Sequence, residues 1–200
     1  MAWLVVEWAG QRRALERAAC TDPLTGLANR SATIAAVGAG LGQTDREPVA
    51  LLYFDLDGFK LVNDRLGHGA GDAALVEAAQ RIRSVLEPGD VLGRVGGDEL
   101  VALKRGPGCR AGAEDLARRA IAAMRAPFVV GAAAASCGLS VGIAVTDGRE
   151  VPAPDADEML ARADGALYVA KGAGGGRVVV TSGPGALDSR ELRPHLRRMP

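Results

Sequence analysis

Aromatic side chains are scarce. Phe, Trp and Tyr make up 4% of the 200 residues. With Ala and Gly abundant, the core must be built mostly from small and aliphatic groups. Cysteine is also rare: Cys20, Cys109 and Cys137 are widely spaced, odd in number and form no CxxC pair. That argues against a disulfide framework and a zinc site, and for a reducing, cytoplasmic setting. Net charge is absent, since 24 Lys+Arg balance 24 Asp+Glu. A neutral chain has no bulk field with which to coat nucleic acid or anionic lipid, so neither partner is expected. Residues 1–10 have neither the basic start nor the length of a signal peptide. One uncharged stretch, 126–146, approaches the about 20 residues that span a bilayer. Pro127, Gly131, Gly138 and Gly142 interrupt it, and its β-branched residues fall in two clusters. It reads as two buried strands joined by a small-residue turn, not as a membrane span.

The remainder is globular in balance, with 48% apolar and 24% charged residues. The length fits one domain with short extensions. Residues 3–20 carry Leu4, Trp8 and Leu15 at helical spacing among charged residues. This predicts a lead-in helix over 1–20, either an ordinary N-terminal helix or the stub of a coiled-coil linker. A domain over 21–180 and a mobile tail over 181–200 follow. Within the domain, Ser31 is expected to cap a helix to about Gly38. The run 49–54 reads as a central buried strand. Helices are expected over 72–86, 113–125 and 155–171, the last started by Asp155 or Asp157. Strands are expected over 91–95 and 100–103, joined by a Gly96-Gly97 turn, and over 178–180. Strands mixed with helices in this order predict an α+β or α/β sheet layered against helices.

The chemistry gathers at two places. Asp55 and Asp57 sit two apart at a strand end, so their side chains leave on the same face. Asp98 and Glu99 follow the Gly96-Gly97 turn. If the two strands are neighbours, Asp55 meets Asp98, and their repulsion is relieved by a divalent cation such as Mg²⁺. Gly58, Phe59 and Lys60 form a turn entering a helix, where free N–H groups and a lysine suit phosphate. Asn63 and Asp72 can each hydrogen-bond a purine edge. Asp72 also suits a helix N-cap, and His68, between two glycines, suits a turn.

These pieces, in their order, resemble the GGDEF family of diguanylate cyclases. The resemblance runs from Asp22 to Val180: DPLTGLANR at 22–30, FDLDGFKLVND at 54–64, GHGAGD at 67–72, RVGGDEL at 94–100, SVGIAV at 140–145 and ADGALYVAK at 163–171. It implies a central, mostly antiparallel five-stranded sheet surrounded by helices, an α+β fold related to nucleotidyl cyclases and polymerase palms. It implies condensation of two GTP into cyclic di-GMP, with release of two pyrophosphates, by a homodimer using Mg²⁺ or Mn²⁺. The metal would be held by Asp55, Asp98 and the carbonyl of Leu56. Gly58, Phe59 and Lys60 would hold phosphates, Asn63 and Asp72 would read guanine, and Gly97 would leave room for the nucleotide. Lys171 would approach the terminal phosphates. Asp98 or Glu99 would take the 3′-hydroxyl proton, with Lys60 assisting catalysis. An upstream sensory module or partner would act through the lead-in helix, where Trp3 and Trp8 lie. The alternative is a weak or inactive domain that binds GTP and regulates a partner.

The chain departs from the family pattern at three places. Leu100 replaces Phe, a change between apolar side chains that would both point into the core. The loop from Lys171 to Arg177 is longer by two and is followed by Val178 in place of Asn. The family's inhibitory product site uses Arg-x-x-Asp, where this chain has Glu87-Pro88-Gly89-Asp90. Glu87 cannot make the bidentate contact of an arginine. No strong product inhibition is therefore expected here. A tight block by cyclic di-GMP that Asp90→Ala relieves would contradict this.

Overall fold

The computed structural model describes residues 19–42, 47–130 and 133–183. Of the expected lead-in helix, residues 19–20 are described and are helical. The rest of it, with Trp3 and Trp8, lies outside the described residues, as do residues 184–200 of the expected tail; residues 181 and 182 of that tail instead extend the last strand, Val178–Ser182.

Strand β1 (Val49–Asp57) is the centre of the architecture. Eight of its nine residues are buried, as a strand covered on both faces requires. It pairs antiparallel with β3 (Glu99–Arg105) on one side and with β6 (Gly138–Thr146) on the other. Strand β2 (Val91–Gly96) joins β3 antiparallel, and β7 (Val178–Ser182) joins β6 in parallel. The sheet order is β2-β3-β1-β6-β7, five strands and mostly antiparallel.

Alternation along β1 divides the core. Leu52, Phe54 and Leu56 pack with Leu75 and Ile82 of helix α3 (His68–Ser84) and Leu116 of α4 (Cys109–Ala123). Leu51 and Tyr53 pack with Val37 of α1 (Arg30–Leu41) and with Met159 and Leu167 of α5 (Ala156–Gly172). The short helix α2 (Phe59–Leu66) follows β1 directly. Leu100 has no exposed surface and sits in the first of these clusters.

Several boundaries differ from the sequence reading. Asn29, not Ser31, caps α1 by accepting from Ala32 N at 3.0 Å. Helix α1 runs past Gly38 to Leu41, with Gly40 pressed against Leu103. Helix α3 begins at His68, so His68 is helical and Asp72 is not an N-cap. Helix α4 begins at Cys109, before the expected Ala113. The turn between β2 and β3 is Gly97-Asp98, one residue later than expected. Asp155 does start α5, accepting from Glu158 N at 2.8 Å.

The expected hairpin over 128–145 is instead three strands in two sheets. β4 (Phe128–Val130) pairs with β5 (Ala133–Ala135), and β6 leaves them for the main sheet. Alanine has weak strand preference, so β5 carries no local signal. β6 has apolar groups on both faces and finds cover for both only beside β1.

Two glycines let the helices approach the sheet closely. A Cβ at Gly93 would lie 1.8 Å from Thr33 Oγ1 of α1. A Cβ at Gly142 would lie 2.1 Å from Ala163 O and 2.2 Å from Leu167 N. Those neighbours are helix backbone and cannot swing aside. Gly142→Ala is expected to cost about 3 kcal/mol or more, as overpacking against a fixed neighbour does. Chemical denaturation of the variant beside the wild type measures it.

Candidate functional site

The register across the sheet places Glu99 opposite Asp55. The Gly97-Asp98 turn therefore falls at the end of the sheet where β1 finishes. Asp55 is only 6% exposed, and Asp98 is half-buried. Burial raises the carboxyl pKa of both. At Asp55 a hydrogen bond from Lys171 opposes the rise, and the charge of Asp98 adds to it. Lys171 comes from the last turn of α5, its Nζ 2.5 Å from Asp55 Oδ1.

A cavity of about 540 Å³ opens here. Asp55, Leu56, Asp98 and Lys171 line one part of it. Gly58, Phe59 and Lys60 line another, together with Gly174 and Gly175. Gly58 turns the chain from β1 into α2 at φ 81°, a left-handed conformation that favours glycine. No side chain caps α2. Leu61 N and Val62 N donate to Gly58 O, at 3.0 and 3.3 Å, which leaves the N–H groups of Phe59 and Lys60 at the helix start, a place that suits an anion.

Four of the expected site residues lie outside the cavity lining: Asn63, Asp72, Gly97 and Glu99. Asn63 and Asp72 form a neighbouring locus. A Cβ at Gly71 would lie 1.8 Å from Asn63 Oδ1, so this glycine seats the Asn63 amide against the turn of α3 that bears Asp72. Glu99 accepts from Tyr53 Oη at 3.1 Å. Gly97, at φ 41°, accepts through its carbonyl from Arg94 Nε at 3.0 Å and Nη2 at 2.8 Å.

Some contributors were not anticipated. Arg94 also binds both oxygens of Asp22, at 3.1 and 3.0 Å. Asp22 accepts in addition from Thr25 N and Oγ1, at 2.8 and 2.7 Å. Burial alone would raise the Asp22 pKa, but these hydrogen bonds hold it below the usual range. A line of contacts from Asp22 through Arg94 thus fixes the Gly97-Asp98 turn. Both residues lie in the motif segments, but they are 72 residues apart in sequence, so no local pattern reveals the pairing. Asp57 lines the cavity too and its charge adds to the rise at Asp55, while its oxygens accept from Ser140 Oγ and from Gly176 N of the loop after α5. Arg177 donates from Nε to Gly175 O at 3.2 Å and lies outside the cavity lining.

The Glu87-to-Asp90 segment is closed by an internal cation. Lys104, 8% exposed, places Nζ 2.7 Å from Glu87 Oε2 and 3.0 Å from Asp90 Oδ2. Burial would lower the Lys104 pKa, but the hydrogen bonds to Glu87 and Asp90 hold it above the ordinary value. Asp90 thus faces a lysine of its own chain.

The donor set fits a hard divalent cation. Asp55 and Asp98 are close enough for one charge to raise the other's pKa, and the Leu56 carbonyl belongs to the same strand end. Among the described residues no group of three His, Cys, Asp or Glu side chains forms a metal site. Two carboxylates and a carbonyl leave coordination positions for phosphate oxygens, as Mg²⁺ favours.

The family described as "Diguanylate cyclase, GGDEF domain" matches residues 19–177. The chain belongs to the GGDEF family. This GGDEF domain is 39% identical over 154 residues to diguanylate cyclase TpbB of Pseudomonas aeruginosa, covering 75% of the chain and 34% of that protein. It is 37% identical over 173 residues to the cyclic di-GMP phosphodiesterase PdeR of Escherichia coli, covering 85% of the chain and 26% of that protein. It thus spans about a quarter to a third of the length of these curated relatives. The solved GGDEF domain of TpbB superposes with a TM-score of 0.76 at 35% identity, covering 86% of this chain and 98% of that one. The coiled coil and GGDEF domain of DgcB from Caulobacter crescentus, in complex with c-di-GMP, gives 0.81 at 25% identity, covering 90% and 95%.

The raised pKa of Asp98 has a definite sign for stability. The contribution of its protonated form is fully present below the ordinary carboxyl pKa and is lost as pH rises through the raised one. Asp98→Asn removes this titration. Without divalent cation, the variant is expected to melt above the wild type at neutral pH. The gap should close as pH falls to 3.8, the ordinary value, in thermal unfolding across pH.

Proposed function

We propose that this GGDEF domain is a diguanylate cyclase that condenses two GTP into cyclic di-GMP and releases two pyrophosphates, acting as a Mg²⁺-dependent homodimer. The observation that carries this reading is the single cavity gathering Asp55, Asp98, Lys60 and Lys171 at the open end of the sheet. Asp55, Asp98 and the Leu56 carbonyl hold the cation. When bound, it stabilises charge on the phosphate oxygens. The opening turn of α2, Gly58, Phe59 and Lys60, binds the phosphates through N–H groups and the lysine ammonium. Lys171 leaves Asp55 for the terminal phosphates once the carboxylate is otherwise neutralised. Asn63 and Asp72 read guanine with an amide and a carboxylate, and Gly97 leaves room for the nucleotide.

Each copy holds one GTP, and two copies align the substrates. The 3′-oxygen of one GTP attacks the α-phosphorus of the other, its proton passes to Asp98 or Glu99, and pyrophosphate leaves. Tyr53 orients Glu99. A reaction that needs two copies is controlled by whatever aligns them, so an upstream module or partner gripping the N-terminal segment would set the rate. The solved structure of diguanylate cyclase SiaD in complex with its activator SiaC, from Pseudomonas aeruginosa, supports such control. No helix among the described residues is long and apolar enough to cross a membrane. GTP as substrate and three free cysteines favour the cytoplasm.

One observation favours a second reading, a domain that binds GTP without turnover and regulates a partner. Arg177 folds back on its own loop. Incubation with GTP and Mg²⁺, read by cyclic di-GMP formation, separates the two. The wild type is expected to form product, and Asp98→Ala to lose at least roughly 100-fold in rate. A confirmed dimer that binds GTP and forms no product would establish the second reading.

A further inference from the structure

Strand β1 ends in two carboxylates, and the cyclase reading uses only Asp55. Asp57 holds the far end of the turn that Lys171 begins. Ser140 Oγ donates to Asp57 Oδ1 at 2.7 Å and lies 2.9 Å from Oδ2. Gly176 N donates to Asp57 Oδ2 at 2.9 Å and to Ser140 Oγ at 3.2 Å. The approach needs glycine: a Cβ at Gly175, where φ is 71°, would lie 3.0 Å from Asp57 Oδ2.

The turn's own amides are already used. Ala173 N donates to Val169 O, Gly174 N to Lys171 O, and Gly175 N to Ala170 O. With Gly176 N on Asp57, every N–H from 173 to 176 has an acceptor inside the protein. The turn therefore has no amide to offer a phosphate, and Arg177 donates from Nε to Gly175 O. What this turn can offer a phosphate is therefore side chains alone, the ammonium of Lys171 first among them, since it already lines the cavity.

The geometry points to Asp57 as a positioning residue that sets the reach of Lys171 toward the β- and γ-phosphates; this rests on the cyclase reading. In the free protein Lys171 is tied to Asp55. A nucleotide arriving with its cation takes Asp55 and dissolves that tie. The contacts of Asp57 with Ser140 and Gly176 then remain as the side-chain link between the turn and the end of β1. Both carboxylates of Asp-x-Asp thus act on one turn, Asp55 at its start and Asp57 at its end.

The test compares GTP with GMP, which lacks the β- and γ-phosphates, by calorimetry on the full chain with Mg²⁺. Asp57→Ala is expected to weaken GTP binding roughly tenfold, the scale of one charge-assisted contact, and to leave GMP binding unchanged. Asp57→Asn keeps an oxygen for Gly176 N and is expected to recover most of the loss. In a Lys171→Ala background, Asp57→Ala should add nothing further. Equal weakening of GTP and GMP would overturn the proposal in favour of a structural role. So would full GTP affinity in Asp57→Ala, or an additive double variant. If Asp57→Ala does not fold, Ser140→Ala, which removes a partner of both Asp57 and Gly176 N, is expected to weaken GTP and not GMP, and an unchanged GTP-to-GMP ratio in it would overturn the proposal. Failure of the wild type to bind GTP would overturn the cyclase reading itself.

Discussion

At Gly142 the backbone of α5 lies directly on β6, with no room for a side chain between them. The rest of the site depends on this contact. It sets the height of α5 above the sheet, and α5 delivers Lys171 to Asp55 at its last turn. A helix held farther out would leave the ammonium short of the carboxylate. The chain's poverty in aromatics serves the same end. Ala163, Ala166 and Ala170 on the buried side of α5 let helix and sheet approach closely.

The approach concentrates charge where burial disfavours it. Asp55 and Asp98 each lose hydration, and each would bind a proton more readily than a free aspartate. An ion pair with Lys171, which reaches in from the exposed end of α5, offsets this in part. A protein that keeps such a cluster keeps it for what the cluster binds. Around it, other contacts hold the geometry. Arg94 ties the Gly97-Asp98 turn to Asp22, and Gly71 presses Asn63 against α3. Lys104 does the opposite at the segment from Glu87 to Asp90: it neutralises both carboxylates with a cation from the same sheet.

Much of this was legible in the residues. The continuous apolar run of β1 announced a strand covered on both faces, and Asp155 announced the start of α5. The carboxylates at a strand end and beside a glycine turn announced the cluster that one cavity gathers. The errors came where local pattern is weak. β5 is three alanines, which no periodicity marks as a strand. The N-terminal turn of α3 contains Gly69 and Gly71, so it read as a loop, with Asp72 as its cap. Asp57 read only as leaving on the face of Asp55, and spacing could not show that it also anchors Gly176.

Sequence alone determined the local elements and which chemical groups are available, because hydrophobic period, capping residues and turn glycines act over a few neighbours. It determined the family as well, through motifs spread along most of the chain. Tertiary structure alone decided how those groups pair. Asp22 with Arg94, Asp57 with Ser140 and Gly176, Lys104 with Asp90, and Lys171 with Asp55 each join segments distant in the chain. Such pairs form only after the sheet has closed and the helices have docked, since long-range contacts are set by packing and not by the preferences of neighbouring residues.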